Sequence, residues 1–199
     1  MKFKELNLLN REILSTRESG PRQSLLPVIN TLLISQKYLI VSSDPSLETD
    51  KTKSEYDKHS AFEERVIALI FFGLDNDVSV GKVRKSYSSF KAKFLSNFYW
   101  THYSKTYARG SPGNFWAQKF LLKEIELFEP QVIVVFGNVV ASFLFGPGKL
   151  SDRVNHTLSW QGFPLICSLH PSRDWNLKKR PQYKFAQTWK LIRKRCPIT

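Results

Sequence analysis

Gln131-Val132-Ile133-Val134-Val135-Phe136-Gly137 is the clearest core strand in the chain, a continuous apolar run closed by a glycine. Just upstream, Phe115 to Phe128 places Phe120, Leu121, Ile125 and Phe128 on one helical face, with Lys119, Lys123 and Glu124 expected on the outer one. Pro130 ends that helix. Downstream, Asn138 to Phe145 predicts a short helix that Gly146-Pro147-Gly148 stops. A buried strand between two helices is the building unit of an α/β protein.

The same grammar extends in both directions. Lys37-Tyr38-Leu39-Ile40-Val41-Ser42-Ser43 is apolar on both faces and stops at Asp44-Pro45, as expected of a buried parallel strand. Phe94-Leu95-Ser96-Asn97 reads as a short strand running into an aromatic loop, Phe98 to Tyr103, and Phe163 to Leu169 as a further buried strand. Helices are expected at Phe3–Ser15, Ala61–Gly73 and Tyr183–Arg195, while Asp75–Ser89 reads as irregular and basic. Residues 1–36 form an N-terminal helical segment and 46–60 a polar loop. The expected fold is therefore a single-domain, three-layer α/β/α sandwich over residues 1–199, with a central, mainly parallel four-stranded sheet.

Composition narrows the function. The 199 residues carry a net charge of +13, which favours a polyanionic partner, and nucleic acid is the usual one. The excess gathers late, from Arg173 through Lys178, Lys179 and Arg180 to Arg193, Lys194 and Arg195. No apolar run is long enough to span a membrane, the N-terminus lacks a secretory pattern, and no basic amphipathic helix has a strongly apolar back. A cytoplasmic, nucleoid-associated protein that is not secreted is expected, with DNA, single- or double-stranded, as its partner, no membrane contact and a monomeric state. Cys167 and Cys196 are too few for a disulfide framework or a cysteine-ligated zinc or iron-sulfur site, and no metal or cofactor is expected.

In sheets of this kind ligands gather at the carboxyl ends of the strands. Three expected strand ends carry polar groups, Asp44, Asn97 and His170, and the last opens Ser168-Leu169-His170-Pro171-Ser172-Arg173-Asp174-Trp175-Asn176. Each has a plain alternative. Asp44 before Pro45 suits an N-cap or Asx-turn, Asn97 a turn, and His170-Pro171-Ser172 a turn that caps the next helix.

Taken in order, these pieces resemble the uracil-DNA glycosylase superfamily from about Lys37 to Arg195. Ser42-Ser43-Asp44-Pro45-Ser46 is similar to that family's first motif, of the form Gly-Gln-Asp-Pro-Tyr or Gly-x-Asn-Pro-Gly. Phe94 to Asn97 resembles its strand ending in asparagine, Val132 to Gly137 its apolar strand ending in glycine, and His170-Pro171-Ser172 its second motif.

The resemblance implies a monofunctional glycosylase that extrudes a pyrimidine nucleotide and hydrolyses its bond to the sugar, leaving an abasic site. Asp44 would lie near the sugar, stabilising the developing cation and orienting water. His170 would donate a hydrogen bond to the 2-oxygen of the departing base. Asn97 would read the base edge, with Ser43 and Ser46 beside it, and Phe62 would stack on the base, although Phe62 also suits the apolar face of its helix. Pro171 and Ser172 would grip phosphates, Arg173 or Trp175 would fill the gap in the duplex, and Asn176, similar to the asparagine of a family branch whose turn reads His-Pro-Ser-Pro-Arg-Asn, would also contact DNA. Ser46 stands where the best-known branch has a tyrosine that excludes 5-methyl groups, which implies room for a 5-substituted pyrimidine. Three readings follow: uracil excision for repair, excision of a modified cytosine such as glucosylated hydroxymethylcytosine from phage DNA, and a non-catalytic DNA-binding module.

Overall fold

The computed structural model of the protein describes residues 1–16, 27–43, 61–73, 77–106, 114–171 and 186–198, without the side chains of 61, 62, 77–79, 114 and 186. Its centre is one sheet built from β1 (Tyr38–Ser42), β2 (Phe98–His102), β3 (Val132–Phe136), β4 (Leu158–Trp160) and β5 (Phe163–Ser168), in the order β2-β1-β3-β5-β4. β1 runs parallel to β2 and β3, and β3 parallel to β5. Every residue of β1, β2 and β3 is buried, as strands covered on both faces must be.

The sheet has five strands, not four. The addition is β4, antiparallel to β5 through a two-residue hairpin at Gln161 and Gly162, whose φ angles of 48° and 87° fit a primed turn. Only three residues long and half exposed, β4 has little apolar signal to reveal it.

β2 also differs from the expectation. Phe94 to Asn97 is the last turn of α4 (Tyr87–Asn97), and the strand is the aromatic run Phe98 to His102 that was expected to be a loop. Aromatic and β-branched side chains favour a pleated, packed surface, and Phe98-Tyr99-Trp100-Thr101 has four in a row. The stretch expected to be irregular likewise holds α3 (Asp77–Lys85) and the start of α4.

Alternation along the strands divides the core in two. On one face Leu39, Val41, Ile133, Val135 and Leu165 pack against α1 (Phe3–Ser15), α5 (Asn114–Trp116), α6 (Leu122–Phe128) and α7 (Asn138–Phe145). A π-turn, Ala117–Leu121, joins α5 to α6. On the other face Ile40, Trp100, Val134, Phe136 and Ile166 pack against α2 (Ala61–Phe72), α3, α4 and α8 (Ala186–Arg195). The three layers match the expected sandwich, and α1 matches its predicted span.

β2 is an edge strand whose outward carbonyls are met by side chains. Gln36 Nε2 donates to Phe98 O at 2.9 Å, Asn30 Nδ2 to Trp100 O, and Lys105 Nζ to His102 O at 2.9 Å. The backbone before β1 thus runs beside β2 without forming a strand.

Candidate active site

The parallel register brings the carboxyl ends of β1, β3 and β5 into one row. Val41 is level with Val135, and Phe136 with Ser168, so Ser43, Gly137 and Leu169 each stand one residue beyond, with His170 next. Gly137 N donates to Ser168 O at 2.8 Å, tying the ends of β3 and β5. Gly137 has φ 89°, a left-handed conformation that favours glycine, and a Cβ placed there would meet only Ser43 Oγ, at 3.9 Å. The floor between β1 and β5 is therefore free of a side chain. With strands spaced at about 4.8 Å, Ser43 and the end of β5 stand about 10 Å apart, on either side of Gly137.

Asn97 does not belong to this row. It is level with Lys37 at the amino end of the sheet, where Lys37 N donates to Asn97 O at 3.0 Å. Its side-chain amide donates to Lys93 O at 2.9 Å and Ser96 Oγ at 3.1 Å. A residue there is a strand's length from Ser43 and cannot read a base held near His170. Asn97 terminates a helix, the turn-type role that was its plain alternative.

The residue that stands at the carboxyl end of β2 is His102, level with Ser42. Trp100 Nε1 donates to Ser42 Oγ at 2.9 Å, and Ser42 Oγ lies 2.7 Å from His102 Nδ1. An indole can only donate, so Ser42 accepts from Trp100 and is free to donate its own proton to Nδ1. The sequence signal for His102 was the aromatic strand in front of it.

Beyond β2 the chain is pinned to β1, as Tyr103 N donates to Ser42 O and Ser104 N to Ser43 O, both at 2.8 Å. Lys105, next in line, is wholly buried and ion-paired to Glu124 of α6, with Thr101 Oγ1 as a further partner. Glu124 also accepts from Tyr99 OH at 3.2 Å and Thr101 Oγ1 at 3.0 Å. Glu124 was expected to face outward; instead it is buried, because a cation and two hydroxyls converge on it. Burial pushes the Lys105 ammonium below the usual lysine range, and Glu124 acts against that shift.

His170 is half-buried and Pro171 buried. Removal from water holds the His170 imidazole below its ordinary value of 6.5, so the ring is neutral at neutral pH. A neutral imidazole can donate a hydrogen bond without bringing a full charge into the site. The folded state then binds fewer protons than the unfolded chain below pH 6.5. Stability contributed by His170 is present above that pH and is lost as the pH falls through the depressed folded value. Thermal melts from pH 7.5 to 5 should show a larger loss for the wild type than for His170→Gln, and equal losses would remove this titration.

Ser43 directly follows β1 and is half-buried. Asp44, Ser46, Ser172, Arg173, Trp175 and Asn176 lie outside the described residues, as does the side chain of Phe62, whose backbone is in the first turn of α2. Among the described residues no group of histidines, cysteines and carboxylates has the makings of a metal site. No described helix is long and apolar enough to cross a membrane.

No curated protein matches the chain. A family model described as the uracil DNA glycosylase superfamily matches residues 31–193, well over half of its length, spanning all five strands and the His170-Pro171 turn. With its three-layer sandwich and its mostly parallel sheet, the chain belongs to the uracil DNA glycosylase superfamily, whose function is of the DNA glycosylase type.

Proposed function

We propose that the protein is a monofunctional DNA glycosylase that takes a pyrimidine out of the base stack and hydrolyses its bond to the sugar, leaving an abasic site. The observation that carries this reading is the row at the carboxyl ends of β1, β3 and β5. There Ser43, directly before Asp44, and Leu169, directly before His170, flank Gly137, which carries no side chain.

The chemistry asks two things of such a site. As the glycosidic bond breaks, its electron pair leaves with the base and positive charge grows on the sugar. A neutral His170 would donate to the 2-oxygen where negative charge collects. Asp44 would stabilise the sugar cation and orient the water that adds to it. The edge of the base would be read without Asn97, by groups at the carboxyl end of the sheet. Asp44 and His170 together oppose a purely DNA-binding role, which needs neither.

Ser46 favours a particular substrate. By resemblance it replaces a bulky tyrosine beside the 5-position, so the substrate would be uracil or a 5-substituted pyrimidine, and glucosylated hydroxymethylcytosine of phage DNA fits that opening. Repair and antiviral defence are thus distinguished by the base removed. The test offers single- and double-stranded oligonucleotides carrying uracil, mismatched thymine, hydroxymethylcytosine or its glucosylated form, followed by alkaline cleavage at abasic sites. Breakage is expected on at least one of them, and Asp44→Ala should slow it by about 10²-fold or more with affinity retained. Breakage of none, or undiminished turnover by Asp44→Ala, would overturn the reading.

A further inference from the structure

The two helical layers differ in charge. On the layer of α1, α5, α6 and α7, Lys4 and Arg11 are balanced by Glu5 and Glu12, while Lys119 and Lys123 are set against Glu126 alone, Glu124 being buried with Lys105, so the surplus there is a single charge. The opposite layer is unbalanced. Its acids on α2 are already engaged, Glu64 with Arg84 at 2.8 Å and Glu63 with Lys91 at 3.4 Å. Exposed cations remain on three helices: Lys82 and Lys85 on α3, Lys93 on α4, and Lys190, Lys194 and Arg195 on α8. α2 packs against all three of these helices, so the cations share one side of the molecule.

Helix stability alone does not account for this surplus. Cations in a last turn suit the helix dipole, and Lys82, Lys85, Lys194 and Arg195 have that position. Lys93 and Lys190 do not, being outside the last turns of their helices. Like charges gathered on one face repel one another, and a polyanion relieves that repulsion.

The apolar surface decides which polyanion. The exposed large hydrophobic residues among those described are Leu8, Leu14, Leu33, Ile34, Phe115, Leu122 and Val139, on α1, α5, α6, α7 and the segment before β1. None lies on α3, α4 or α8. A helix that binds an acidic membrane surface inserts apolar side chains among its cations, whereas phosphate contacts need cations alone.

We propose that the layer formed by α2, α3, α4 and α8 is a second, sequence-independent contact for the DNA phosphate backbone, apart from the site at the carboxyl ends of the strands. It rests on the reading that the protein acts on DNA, and it concerns retention on the strand rather than excision. Long DNA would occupy both surfaces, and a short substrate only the site at the strand ends.

The experiment compares wild type with a variant carrying Lys82→Gln, Lys85→Gln, Lys93→Gln and Lys190→Gln, and with a control carrying Lys4→Gln, Arg11→Gln, Lys119→Gln and Lys123→Gln. Binding to an undamaged long duplex is followed by fluorescence anisotropy across a salt series, and melts verify that each variant is folded. The slope of log affinity against log salt is expected to fall by about 0.9 for each lysine that contacts a phosphate, a drop of about 2 to 3.6 for the first variant and none for the control. Equal slopes in all three proteins would overturn the proposal. So would a first variant that keeps its DNA affinity but loses binding to vesicles of acidic phospholipid. Because the duplex carries no excisable base, the result is independent of the glycosylase assay: excision of no base with a reduced slope would sink the enzyme reading and keep this surface.

Discussion

Replacing His170 with alanine is expected to slow base excision by about 10²- to 10³-fold, the cost of removing one donor aimed at a developing oxyanion. The effect is electrostatic. The leaving pyrimidine gathers negative charge only as the glycosidic bond stretches, so a donor at its 2-oxygen stabilises the transition state more than the bound substrate. The ring would act in a half-buried position that keeps it neutral. Single-turnover rates with enzyme in excess isolate the chemical step, and anisotropy on uncleaved duplex reports binding, which should change by no more than a few-fold. A rate close to wild type would leave His170 as no more than the lead residue of a turn.

The second large effect is on stability. Lys105→Met strands Glu124, a carboxylate with no exposed surface, among Tyr99, Thr101 and apolar neighbours. Breaking a buried pair by deleting one member costs about 3–5 kcal/mol. Deleting both removes the charges together, so Lys105→Met with Glu124→Met should regain most of that loss in urea titrations. A double variant as unstable as the single one would mean that the pair contributes packing rather than paired charge. The site should register the change as well. Ser104, joined to Ser43 through its main chain, is the immediate neighbour of Lys105. Excision by the single variant is therefore expected to fall even at temperatures where it is folded.

Much of this architecture is legible in the residues. β1, β3 and β5 are continuous apolar runs because both of their faces are covered, and a strand with no polar side stands out from its surroundings. α1 is legible for the opposite reason: Leu6, Leu9 and Ile13 recur at helical spacing among polar neighbours. What misled was local ambiguity. Phe94 serves the end of a helix and Phe98 the start of a strand, with no glycine or proline between to mark the change. That shift of a few residues exchanged Asn97 for His102 at the carboxyl end of β2. Glu124 misled for another reason, since a charge on an amphipathic helix faces water unless a partner from elsewhere neutralises it. Its partner, Lys105, lies beyond β2 and is brought there by the fold.

The lateral margin of β2 has a consequence for the molecule's company. An open sheet border attracts foreign strands, and proteins usually guard it with charge, bulges or a covering segment. Here Gln36, Asn30 and Lys105 engage successive outward carbonyls, an imitation of the ladder that an intruding strand would need. An incoming polypeptide would have to evict two amides and a buried ammonium before making its first bond. Among the described residues, side chains rather than a further strand close that border to amyloid-like growth.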